Sequence, residues 1–346
     1  MDNHDLDAFA SEIENGLKLS DDEIRNLLSI EDEEELGKLF YVSRAIRDHF
    51  FGNKVFLYSF VYFSTYCKNE CAFCYYKNSN QIERYRLNMD DILNLCTILK
   101  GEGVHMIDLC MGEDPHFHDN PDNLIELVET VKKELNLPIM ISPGVVDNDT
   151  LIKLRESGAN FLALYQETYD PEHYKKLRVR QSFEERMNCR QFAKEIGYRV
   201  EDGILTGIEE DNESVLRSLK EMEKGDPDMV RAMTFTPQEG TPLQGITQQT
   251  SIKELKIIAI LRLLFPNKLI PASLDLEGID GMVHRLNAGA NVVTSIIPSN
   301  SSLEGVVNYD RDYEERDRDV ESVVARLKTM GMAPADQSDF EKVLGV

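Results

Sequence analysis

This 346-residue sequence has no tryptophan, few basic residues for its acidic ones, and no long apolar run. Lysine and arginine number 38 against 62 aspartates and glutamates, a formal net charge of −24. That imbalance excludes broad electrostatic attachment to nucleic acid or to an anionic membrane surface, and leaves a small neutral or cationic partner. No run of 18 or more apolar residues occurs, so no membrane-spanning helix is expected. The start, Met1-Asp-Asn-His-Asp-Leu-Asp7, lacks the basic segment and apolar stretch of a signal peptide, and a cytoplasmic chain is expected. No Gly-x-Gly-x-x-Gly turn follows the first strand-like run, which argues against an open dinucleotide-binding sheet.

What is present is enough for a large core, with 42% hydrophobic and 29% charged residues. Residues 1–50 read as a helical extension, with Ser20-Asp-Asp-Glu23 matching a capping box and the acidic run 31–35 reading as a solvated helix face. From Val55 onward, β-branched and aromatic runs alternate with amphipathic stretches, the rhythm of βα units around a parallel sheet. Eight strands are predicted, at Val55–Thr65, Met106–Met111, Pro138–Ser142, Phe161–Gln166, Arg199–Leu205, Met229–Phe235, Leu269–Asp275 and Val292–Ile297. Helical stretches are predicted between them, with an eighth at Tyr313–Met330. Val55 to Ile297 spans 243 residues, close to the roughly 250 of a (β/α)8 TIM barrel. The expected fold is therefore an α/β barrel over residues 51–300, with a C-terminal helical segment, 301–346, completing it. In such a barrel the chemistry belongs at the carboxyl ends of the strands, and polar residues gather there: Asp108, Glu113, Ser142, Glu167, Arg231, Ser273 and Asp275.

Three of the six cysteines stand in one loop after the first strand, Tyr66-Cys-Lys-Asn-Glu-Cys-Ala-Phe-Cys-Tyr-Tyr76, as C-x3-C-x2-C. Such spacing signals a metal site. A structural zinc would need a fourth ligand and is usually drawn from paired knuckles, but no second Cys/His pair occurs; His116 and His118 are the nearest nitrogen candidates. Three thiolates on a [4Fe–4S] cluster would leave one iron open to a small molecule. A thiol redox pair, Cys71 and Cys74, is a third reading. Cys96, Cys110 and Cys189 are scattered and read as core residues.

The string Cys67-x3-Cys71-x-Phe73-Cys74 resembles the signature of the radical S-adenosylmethionine (SAM) enzymes. The segments 165–168 and 182–186 are similar to the biotin-synthase-like branch, and 160–170 and 270–282 to its members that isomerise L-lysine in pyrrolysine biosynthesis. The resemblance covers nearly the whole chain. It implies a [4Fe–4S] cluster on Cys67, Cys71 and Cys74. It also implies SAM held beside Phe73, Met111, Glu113, Ser142, Glu167 and Arg186, the last two nineteen positions apart. Met111-Gly-Glu113 stands where the family has Gly-Gly-Glu. Asp108, Arg231, Ser273 and Asp275 are the implied substrate contacts: a guanidinium fork for a carboxylate, and carboxylates for two amines. The implied reaction is a carbon-skeleton mutase step from L-lysine to 3-methylornithine. A 5′-deoxyadenosyl radical abstracts hydrogen, and the carbon chain fragments and recombines. A low-potential donor such as a flavodoxin or ferredoxin would supply the electron. The same motif would serve a related enzyme with another substrate, and a zinc-stabilised barrel that binds a small amino acid without turnover is the reading from a different class.

Overall fold

In the computed structural model, which describes residues 3–208, 210–298 and 318–345, the alternating pattern becomes eight parallel strands. They are β1 (Lys54–Ser64), β2 (Met106–Met111), β3 (Ile139–Ser142), β4 (Ala159–Ala163), β5 (Arg199–Thr206), β6 (Met229–Thr234), β7 (Pro271–Ser273) and β8 (Val292–Thr294). Their hydrogen-bonded order is β6-β5-β4-β3-β2-β1-β8-β7. The Val230 amide donates to Leu269 O at 3.0 Å, and this contact between β6 and β7 closes the ring. The fold is a (β/α)8 barrel.

Strand periodicity decides what enters the barrel. Phe56 and Tyr58 of β1 and Met106 of β2 join Met140, Phe161, Met229, Leu269 and Val292 in one apolar layer. Val55, Leu57, Val61, Ile107 and Leu109, the alternate positions, pack outward with the helices. Two residues further along, the inward positions turn polar on β2, β3 and β6, at Asp108, Ser142 and Arg231, while Phe60 and Ala163 stay apolar. The helix Gln337–Leu344 lies against the opposite, amino end of the barrel, with Phe340 stacked at 5.3 Å from Phe56. A two-residue strand, β9 (Ala333–Pro334), pairs with the start of β1. Function is thereby confined to the carboxyl end.

The N-terminal helices are Asn3–Glu14, Asp21–Leu28 and Glu33–Phe51. The capping box forms as expected, with Ser20 N donating to Glu23 Oε2 at 2.7 Å and Glu23 N to Ser20 Oγ. The extension packs on the helix Ile252–Leu264, which is buried on nearly every side because it lies between extension and barrel. The fourth strand stops at Ala163, short of the predicted Gln166; the chain leaves the ladder there and meets β5 again at Glu167, which bridges to Ile204 with a φ of +67°. The helix Pro171–Leu177 was not anticipated, being too short for a clear period, whereas Gln337–Leu344 falls in the expected C-terminal helical segment. The predicted helix from Tyr313 is seen as Val320–Thr329; residues 299–317 lie outside the described ones. No described helix is long and apolar enough to cross a membrane.

Candidate active site

The cysteine loop leaves β1 at Ser64 and is pinned at several points. Lys68 N donates to Glu113 O at 3.0 Å, and Ala72 N to Leu177 O at 2.8 Å. The Arg84 guanidinium is spread over the carbonyls of Thr65, Tyr76 and Lys77. Gly112 permits the close approach of loop to β2: a Cβ there would lie 2.3 Å from Tyr66 O and 2.8 Å from Cys67 Cβ. All three cysteines then line one cavity of about 320 Å³ at the barrel mouth.

Does this cavity suit the implied cofactors? Among the described residues no three His, Cys, Asp or Glu side chains are gathered closely enough to share one ion. That is unlike a tetrahedral zinc site, whereas in a cluster each thiolate meets a separate iron. Burial, with Cys71 and Cys67 nearby, pushes the Cys74 thiol up to about 12; such a thiol gives up its proton when an electropositive group arrives to bind it. His118 is held by Pro143 O at 2.7 Å and Lys68 Nζ at 3.2 Å, so it is committed elsewhere. The donor set therefore fits an iron–sulfur cluster.

The same wall carries an unmet cation. Arg186, on the helix Phe183–Glu195, is 4% exposed and donates Nε to Tyr165 O at 2.6 Å, yet its buried Nη1 has no hydrogen-bond partner among the described residues. Burial, with Arg178 close by, lowers it to about 10. A buried guanidinium left in this state suits an incoming carboxylate. Opposite it, Glu113 lies in the space that a Cβ on Gly144 would fill, 2.2 Å from Glu113 Cγ, and Val145 N donates to Glu113 Oε1 at 3.3 Å. Glu167 is paired with Arg178 at 2.5 Å. Phe73, under the Arg178 guanidinium at 5.4 Å, and Met111 complete the lining. Together these groups offer one site for an amino acid's carboxylate and others for its amine and sugar hydroxyls.

A second cavity of about 270 Å³ adjoins the first, and Phe73, Cys74, Tyr165, Arg231 and Asp275 border both. All thirteen residues singled out from sequence line one cavity or the other. Asp108 is fully buried on β2 and accepts from Ser142 Oγ at 2.9 Å on each oxygen. Burial, with Glu201 nearby and against the pull of Ser142 and Arg231, pushes its carboxyl up to about 7. Ser142, expected at SAM, thus also serves the carboxylate expected at substrate. Asp275 accepts from Ser273 Oγ at 2.7 Å and Ser295 Oγ at 2.5 Å. Its buried Oδ1 has no hydrogen-bond partner among the described residues, and the nearest cation is Arg318 at 3.6 Å.

Arg231 differs from expectation in one respect. It is not waiting alone for a ligand, and it pairs with neither Asp108 nor Asp275: its Nε donates to Glu201 Oε1 at 2.7 Å and its Nη2 to the Tyr58 hydroxyl. Burial alone would lower the guanidinium, but Glu201, with Tyr165 and Tyr58, leaves it raised. Tyr165 also donates to Glu201, at 3.2 Å. Glu201, Tyr58, Tyr165, Arg178, Gln181 and Ser295 are absent from the sequence-derived set. Glu201 had a legible signal, an acidic residue at an inward position inside a buried strand. Cys110, read as a core residue, instead faces the first cavity two positions after Asp108, its thiol raised by burial.

Comparison with known proteins agrees with this geometry. The Radical SAM superfamily model matches residues 61–222. The 3-methylornithine synthase of Methanosarcina acetivorans is 65% identical, covering 99% of this chain and 98% of its own. That of Methanosarcina barkeri is 62% identical, covering 99% and 97%. The crystal structure of methylornithine synthase (PylB) superposes with a TM-score of 0.93 at 62% identity, covering 96% of this chain and 99% of that one. The chain belongs to the radical SAM superfamily and, within it, to the family of the 3-methylornithine synthases.

Proposed function

We propose that this protein isomerises L-lysine to 3-methylornithine, a carbon-skeleton mutase step in pyrrolysine biosynthesis. Its cofactors are a [4Fe–4S] cluster and SAM. The observation that carries the reading is the shared border of the two cavities: the first, lined by the cysteine loop, also holds Asp108, and it meets the second, which holds Ser273, at Cys74, Arg231 and Asp275. When bound, the cofactors supply one-electron reductive cleavage and a hydrogen-abstracting radical.

The chain's residues bind, orient and exclude water. Cys67, Cys71 and Cys74 hold the cluster. Arg186 takes the SAM carboxylate, Glu113 its amine, and Glu167 and Ser142 sit within reach of the remaining polar groups, with Phe73 and Met111 as apolar walls. Where the two cavities meet, Arg231 holds the lysine carboxylate, steadied by Glu201 and Tyr58, and Ser273 assists from the second cavity. Asp108 and Asp275 accept from the two ammonium groups. Fragmentation of lysine leaves a charged group on each piece, so the same three anchors keep both pieces in place until they rejoin. The apolar walls from Phe60, Ala163 and Met233 keep water from the reacting carbons. A low-potential donor such as a flavodoxin or ferredoxin supplies the electron.

Anaerobically reconstituted protein given SAM, dithionite and L-lysine is expected to form an isomer of unchanged mass with the retention of authentic 3-methylornithine. Lysine recovered without any new isomer, from protein that carries a full cluster, overturns the assignment.

A further inference from the structure

We propose that the segment around the end of the helix Pro171–Leu177, residues 171–181, is the docking platform for an acidic protein electron carrier. The proposal rests on the reading of this protein as a cluster-bearing enzyme and adds where the electron enters.

Charge is the first observation. Between residues 171 and 181 stand four basic residues, Lys175, Lys176, Arg178 and Arg180, against one acidic residue, Glu172, the reverse of the 38 to 62 balance of the chain. In the cysteine loop Lys68 adds one exposed lysine, while Lys77, Arg84 and Arg86 are tied to Glu70, to backbone carbonyls and to Asp114. Lys68, Lys175, Lys176 and Arg180 are exposed. Lys175 reaches Glu172 at 2.6 Å, an exposed pair of small worth. The net negative field opposes an acidic partner at every other approach, and a basic island within it leaves one place where that repulsion is locally reversed.

Connection to the cluster site is the second. The platform is bonded directly to the ligand loop: Leu177 O accepts from Ala72 N at 2.8 Å, Gln181 Nε2 donates to Cys71 Sγ at 2.9 Å, and Arg178 Nη1 lies 3.8 Å from the same sulfur. Cys71 is buried, so a carrier cannot touch it. Gln181, bonded to that sulfur, is the chain neighbour of the exposed Arg180, so a carrier seated on Arg180 and Lys176 lies one residue along the chain from a side chain that touches a ligand sulfur. Arg180 has a φ of +63°, a left-handed turn that is unfavourable for a side chain of this kind and persists only where the surroundings fix it. Here the neighbours Arg178 and Gln181 are tied inward to Glu167 and Cys71 while Arg180 itself stays at the surface.

Reduction of the reconstituted holoenzyme's cluster by flavodoxin hydroquinone, followed by loss of visible absorbance under stopped flow, tests this. At low ionic strength the wild-type rate is expected to fall steeply with salt. The Lys175→Glu/Lys176→Glu variant is expected to be slower by about tenfold or more, with little salt dependence. Arg180→Asn, which removes the charge but tolerates the left-handed turn, is expected to give a smaller loss. A Lys328→Glu/Lys342→Glu control, in the C-terminal helices away from the cysteine loop, keeps the wild-type rate, and dithionite reduces all forms equally. Flavodoxin rates within twofold of wild type for the double reversal, or an equal slowing with dithionite, overturn the platform. Because the measurement is reduction and not turnover, its outcome is separate from that of the lysine experiment: an enzyme that fails to isomerise lysine can still show or lack the charge dependence.

Discussion

Arg186 and Arg231 are both buried at the mouth of one barrel, 4% exposed each, and they are treated in opposite ways. Arg186 has a second arginine as neighbour, a buried Nη1 without a hydrogen-bond partner among the described residues, and a pKa lowered to about 10 by burial and that neighbour. Arg231 has a carboxylate at 2.7 Å and two tyrosine hydroxyls around the same carboxylate, and its pKa is raised. An unpaired buried cation marks a place where the protein leaves charge to be completed by an anionic ligand. A paired one marks a place where orientation is fixed beforehand, at the cost of some of the attraction the ligand could have had. The cofactor side is built for strong binding. The substrate side is built for geometry, as two reactive fragments that must stay aligned require.

The comparison fails at its root if the first cavity holds no cluster. Cys74→Ala is expected to abolish both iron binding and turnover, measured by iron content and product formation after anaerobic reconstitution. About four irons per chain in that variant would remove Cys74 from the ligand set. Next in size comes the pair of arginines itself. Arg231→Met leaves Glu201 buried and unpaired and is expected to destabilise the cofactor-free protein by about 3–5 kcal/mol. Arg186→Met relieves a like-charge contact and loses one hydrogen bond, so its stability should stay within about 1 kcal/mol of wild type. SAM affinity should move the other way, with Arg186→Met weakening it by tenfold or more, as expected for a removed buried charge partner of about 2–5 kcal/mol, and Arg231→Met sparing it. Thermal melts of the cofactor-free protein and equilibrium binding of SAM check both signs. Equal destabilisation by the two variants would erase the distinction.

What the sequence made legible follows from the same contrast. The barrel was readable because eight apolar runs recur at βα spacing, and the cysteine loop because its ligands are local in sequence. Arg186 was reached only through the family resemblance, in which a glutamate and an arginine nineteen positions apart, as Glu167 and Arg186 are, belong to one βα unit. Glu201 was not, because its role depends on a neighbouring strand: β5 and β6 are in register with Gly203 beside Arg231, and only that register sets the Glu201 carboxylate on the Arg231 guanidinium. The same holds for Tyr58, brought to Arg231 from 173 positions away, and for Gln181, brought to Cys71 from 110. Cys110 was misjudged since a scattered cysteine carries no sign of which strand face it occupies until the register of β2 is known.

Glu201→Gln sharpens the substrate half of the comparison with a smaller effect. The amide keeps the shape and one acceptor but loses the charge that holds Arg231. The expected outcome is a KM for lysine raised about tenfold, in the range of one weakened charged hydrogen bond, with kcat changed less and SAM binding unaltered. A fall in kcat with KM unchanged would place Glu201 in the chemical step and not behind Arg231.

The smallest effect lies at Asp108 and Ser142, and its sign is fixed by the direction of the hydrogen bonds. Burial brings the Asp108 carboxyl up to about 7, and it must be ionised to receive a lysine ammonium. Below that pH it is protonated and neutral, so kcat/KM for lysine is expected to fall as pH drops through about 7 and to level off above it. Ser142 Oγ donates to both carboxylate oxygens and so favours the ionised form. Ser142→Ala removes that preference, raises the carboxyl further, and should move the acid limb to higher pH by about one unit or less. Asp108→Asn has nothing to titrate and should lose the limb altogether, at a lower plateau. If Ser142→Ala instead leaves the limb in place and weakens SAM binding, Ser142 serves the cofactor and not Asp108, and the two cavities divide at β3 and not beyond it.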